Sequence, residues 1–80
     1  MNRNIKLIWD FRGPSSELTS THFKTHLLEF FKEEKLEYYS CEVETVNESY
    51  HYTFVITNKS NLALIKTALK PNRGQLVKAG

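Results

Sequence analysis

The chain has 80 residues, of which 40% are hydrophobic and 25% charged, and its net charge is +2 with the histidines neutral. That composition describes one small globular domain, a single unit over residues 1–80, and excludes a disordered segment or a polybasic tail. No apolar run approaches the roughly 18 residues that a membrane span needs. No secretory signal is expected, and the lone Cys41 cannot close an internal disulfide, so a reducing, cytoplasmic setting is expected.

Residues 5–11 read IKLIWDF, which places Ile5, Leu7, Trp9 and Phe11 on one face of a strand and Lys6, Ile8 and Asp10 on the other. Gly13 and Pro14 end that strand. Ser15 or Ser16 is positioned to cap a helix over 16–34, with Glu17 in the first turn, where the helix dipole favours an acid. On this helix Phe23, Leu27, Phe30 and Phe31 gather on one side with Leu28 at the margin, and His22, His26, Glu29 and Glu33 lie opposite.

Residues 37–46 (EYYSCEVETV) read as a second strand, with Tyr39, Cys41 and Val43 toward the core and Tyr38, Ser40, Glu42 and Glu44 away from it. Asn47, Glu48 and Ser49 make a hairpin turn. Residues 50–57 (YHYTFVIT) follow as a third strand, and hydrophobicity assigns Tyr50, Tyr52, Phe54 and Ile56 to the core, with His51, Thr53 and Val55 outside. Ser60 is placed to cap a helix over 61–69, whose stripe is Leu62, Ile65, Ala68 and Leu69, and Pro71 stops it. Residues 75–78 form a last strand that is short or absent.

The element order predicts an α+β fold, the ferredoxin-like βαββα(β) plait, with two helices on one face of an antiparallel sheet. In that plait the end of the first strand, the start of the first helix and the end of the second helix share one edge. The stretch from Trp9 to Glu17 and the stretch from Leu69 to Gln75 therefore meet. The plain reading of this edge is a pair of loops, with Asp10 and Arg12 pairing on one strand face. The functional reading is a small-anion site built from Arg12, Gly13, Ser15, Ser16, Arg73 and Gly74, with a helix N-terminus and two arginines to hold a carboxylate or phosphate.

The leading expectation is a non-catalytic interaction or small-ligand module that forms a homodimer, with no cofactor. A small enzyme, metal-dependent through His22, His26 and Glu29 or built on Asp10, Arg12 and His51, is the alternative. The histidine pair is four apart on a helix but lacks the HExxH arrangement, and Cys41 and the serines have no spacing that forces them beside a base. A third alternative is an RNA-binding module of the kind that displays aromatics on its sheet. The assignment of Tyr50, Tyr52 and Phe54 to the core, with Glu42 and Glu44 outside, argues against nucleic acid.

DFRGP at 10–14 and LKPNRGQ at 69–75 resemble the two end motifs of a small group of uncharacterised bacterial proteins of about this length. The likeness covers those two segments and the overall layout. It implies a single bacterial-type domain and no particular activity.

Overall fold

The computed structural model describes residues 3–77. The elements in chain order are β1 (Asn4–Arg12), α1 (Ser16–Glu33), β2 (Tyr38–Asn47), β3 (Tyr50–Asn58), a 3-10 turn at Lys59–Asn61, α2 (Leu62–Leu69) and β4 (Arg73–Val77). The sheet order is β2-β3-β1-β4, and every neighbouring pair is antiparallel. This is the ferredoxin-like α+β arrangement that the element order predicts.

The core lies between the helices and one sheet face. Ile5, Leu7 and Trp9 of β1, Cys41 of β2 and Val55 of β3 meet Leu27 and Phe31 of α1 and Ile65 of α2. The Trp9 indole N–H donates to the Leu69 carbonyl at 2.9 Å, which gives a buried donor its partner and ties the end of α2 to β1. Gly13, with φ of +115°, makes the sharp exit from β1 that a side chain would oppose. Its amide donates to the Ser49 carbonyl at 2.8 Å, joining the exit of β1 to the β2–β3 hairpin.

Several expectations are corrected. β4 starts at Arg73, which pairs with Ile8, so Arg73 and Gly74 belong to a strand and not to a turn. Lys78, the last residue expected in that strand, lies outside the described residues. Among the described residues no serine caps a helix through its side chain. Ser15 makes no such bond, and Asn58 accepts from the Ser60 amide at 2.9 Å while α2 begins only at Leu62. A bulge between Tyr38 and Ser40 exchanges the two tyrosines, so Tyr38 meets Phe31 edge-on at 5.5 Å and Tyr39 is 62% exposed.

The largest correction concerns β3. Tyr50, Tyr52, Phe54 and Ile56 pair with Arg12, Asp10, Ile8 and Lys6, so all share the face away from the helices. His51, Thr53, Val55 and Thr57 point toward the helices and are buried. The reason is a matched set of polar partners. Ser16 and Ser20 continue the inner line of α1, Phe23, Leu27 and Phe31, back to the helix start. Ser16 Oγ lies 2.7 Å from His51 Nδ1, and Thr53 Oγ1 donates to the Ser20 carbonyl at 2.8 Å. Thr57 Oγ1 donates to the Glu37 carbonyl at 2.6 Å. A buried hydroxyl or imidazole with a partner escapes most of its desolvation cost, and these small side chains leave room for α1 to approach.

Candidate functional site

The reversal of β3 gives the open sheet face a row of aromatic rings. Ring centroids of Tyr50 and Tyr52 are 6.4 Å apart, and those of Tyr52 and Phe54 are 6.3 Å apart. Each ring has a cation against it. Arg12 Cζ lies 3.9 Å from the Tyr50 centroid, Arg73 Cζ lies 5.7 Å from that of Tyr52, and Lys6 Nζ lies 4.3 Å from that of Phe54. These distances suit cation–π contact. Ile8 and Phe54 are only 3% and 8% exposed, so the centre of this face carries its own small apolar patch.

Asp10 organises one side of the row. The Tyr50 hydroxyl donates to its Oδ1 at 2.5 Å, and Arg73 donates through Nη2 to Oδ1 at 2.8 Å and through Nε to Oδ2 at 3.1 Å. Burial pushes the carboxyl of Asp10 up, but the bond from Tyr50, the bond and charge of Arg73 and the charge of Arg12 outweigh it. The net position is below the ordinary carboxylate value. Their own hydrogen bonds to Asp10 raise the Tyr50 phenol and the Arg73 guanidinium above their usual values. Asn72 completes the join. Its Oδ1 accepts from the Asp10 amide at 2.8 Å, and its own amide donates to the Ile8 carbonyl at 2.9 Å. The two arginine–glycine stretches do meet, through Trp9, Asp10, Leu69, Asn72 and Arg73.

The sheet divides the residues of the expected anion edge. Arg12 and Arg73 flank Tyr50 on the open face, whereas the Ser16 hydroxyl is turned to His51 on the helix face. Arg73 is engaged by Asp10, not Arg12 as the strand spacing suggested. The Gly13 amide is engaged by Ser49, Gly74 sits opposite Leu7, and Ser15 is exposed. His51, expected on the open face beside Asp10 and Arg12, is on the other side, 2% exposed, with Nε2 3.6 Å from the Glu17 carboxylate. Those three residues are therefore not assembled around one point.

His22 and His26 stack at 5.5 Å on the exposed side of α1, near exposed Glu29. Among the described residues no group of three or more His, Cys, Asp or Glu side chains is arranged to hold a metal ion. Burial pushes the Cys41 thiol up to about 11, which suits a core side chain and not a nucleophile. A groove of about 310 Å³ lies beside α2 and β4, lined by Ile5, Leu7, Leu62, Leu76, Lys66 and residues 71–74. Among the described residues no helix is long and apolar enough to cross a membrane.

The sequence assigns Tyr50, Tyr52 and Phe54 to the core because hydrophobicity alone chooses the face of β3, and it places Lys6 on the outer face without singling it out. The signal available was the serine pair Ser16 and Ser20, in phase with the apolar line of α1, which calls for polar partners on the strand beneath. Comparison with protein families, with curated proteins and with solved structures returns no match.

Proposed function

We propose that the chain is a non-catalytic binding module whose open sheet face takes single-stranded nucleic acid. One observation carries the reading: β3 buries its polar side and turns Tyr50 and Tyr52 outward, each against an arginine, with Phe54 covered beside them under Lys6. A strand that hides histidine and threonine and displays tyrosine is folded against the ordinary hydrophobic preference, and an outward aromatic row is a surface for contact. Unpaired bases stack on such rings, and Lys6, which makes no ion pair among the described residues, meets a phosphate. Of the acids beside the row, Asp10 is paired with Arg73 and Glu42 with Lys24 at 2.8 Å, whereas Glu44, opposite Tyr52, makes no ion pair among the described residues and works against phosphate.

This reading is preferred to a small-anion site because Arg73, the Gly13 amide and the Ser16 hydroxyl already have partners within the chain. A cytoplasmic setting and a bacterial source accord with the free thiol of Cys41 and with the end motifs. A second copy pairing along the ten-residue β2 edge is the second reading, favoured by Tyr39 and Val46, which are 62% and 53% exposed there. Sedimentation of a Tyr39→Lys variant tests it, and a wild-type protein that stays monomeric when concentrated ends it.

Fluorescence anisotropy with short labelled RNA and DNA strands tests the main reading. The strands bind, duplexes of the same sequence bind more weakly, and Tyr52→Ala weakens strand binding by about tenfold, in line with about 1–3 kcal/mol per stacked base. Equal affinity for single and double strands, or no loss in Tyr52→Ala, rules the aromatic row out as the contact surface.

A further inference from the structure

The two arginines of the open face are not equivalent, and the difference points to a base. Arg73 has Nε and Nη2 committed to Asp10. Arg12 is exposed, rests 3.9 Å from the centroid of Tyr50, and makes no ion pair among the described residues. A guanidinium resting on a ring at that distance is pre-organised, with its fork of N–H donors unfilled. Asp10 lies two residues earlier on the same face, about 6.6 Å along the strand for alternate positions. The Asp10 carboxylate accepts three bonds, from Tyr50 and twice from Arg73, of the roughly four its oxygens can take. A fork of free donors thus stands one ring away from Tyr52, while the carboxylate beside it is already held by Tyr50 and Arg73.

Resting on the open-face reading above, we infer that this face selects guanine, with the Arg12 fork donating to N7 and O6 of a base stacked on Tyr52. Among the four bases only guanine presents the N7 and O6 acceptor pair that such a fork fills. Adenine presents a donor in place of O6, and pyrimidines lack the pair. A contact to phosphate alone would be blind to the base.

The test uses anisotropy with the hexanucleotides UUGUUU, UUAUUU, UUCUUU and UUUUUU at one fixed salt concentration, for wild type, Arg12→Lys and Tyr52→Ala. The guanine strand is expected to bind at least about fivefold more tightly than the other three, the lower end expected of one bidentate contact. Lysine keeps the charge and loses the fork, so Arg12→Lys brings the ratio between guanine and uridine strands close to one. Equal binding of all four strands overturns the guanine assignment and leaves the binding face standing, as does an Arg12→Lys variant that weakens every strand by the same factor. Failure of all four strands to bind overturns both.

Discussion

Tyr50 and Asp10 sit on neighbouring strands with the phenol donating to the carboxylate at 2.5 Å, and Arg73 from a third strand closes on the same carboxylate. One acid thus ties β1, β3 and β4 together on the open face. The carboxyl of Asp10 lies below its ordinary value of 3.8, so its contribution to stability is present above that value and is lost as pH falls through the lower folded-state value. Wild-type protein loses stability on acidification below about pH 4, and Asp10→Asn is less stable at neutral pH by about 1 kcal/mol, since Arg73 is nearly half exposed and its pairing is screened. Urea melts from about pH 2 to pH 7 check this: the gap between the two proteins narrows as the pH falls. A constant gap contradicts it.

The orientation of β3 is directly testable. Tyr52→Ser keeps the fold at a cost of about 1 kcal/mol, because it removes only cross-strand contacts on the open face. Val55→Asp does not fold, because the carboxylate would enter the core beneath Leu27 and Phe31 with no partner. Circular dichroism of the two variants distinguishes this orientation from its opposite, in which the outcomes exchange.

Ser16 and His51 form a buried pair that joins the first turn of α1 to β3. Ser16→Ala removes one partner and leaves the imidazole without it, for a loss of about 1–3 kcal/mol. Changing both, Ser16→Ala with His51→Leu, costs less than the sum of the single changes, because no unpartnered polar group remains. Chemical denaturation of the four proteins provides the cycle, and strict additivity would show that the two side chains act independently.

The Cys41 thiol is buried and its ionisation is pushed up to about 11, so thiolate is scarce near neutrality. A disulfide reagent at about pH 8 reacts with the native protein far more slowly than with a small free thiol, and unfolding in denaturant restores the ordinary rate. Rapid native-state reaction would mean that the β2 edge opens readily.

Much of the fold was legible in the residues. The alternation of IKLIWDF fixes the inward face of β1, and the spacing of Phe23, Leu27 and Phe31 fixes that of α1. The meeting of the two arginine–glycine stretches follows from the element order alone. What was not legible is which side of β3 faces in. Both sides of YHYTFVIT are plausible strand faces, and the more apolar side lost because the helix above supplies Ser16 and the Ser20 carbonyl. Burial of a polar side chain depends on its partner, and a partner more than 30 residues away has no signature in a local window. The β2 bulge escaped for a related reason, since nothing in EYYS marks where pairing skips a residue.

β1 is central in the sheet, yet the strand that covers its outer edge is the last of the described elements, after α2. During synthesis β1 must therefore wait with one row of backbone groups unpaired until residues 73–77 have left the ribosome. The bonds from Trp9 and Asp10 to Leu69 and Asn72 form in the same late step. Until β4 arrives that edge is open to any extended peptide able to take the strand's place.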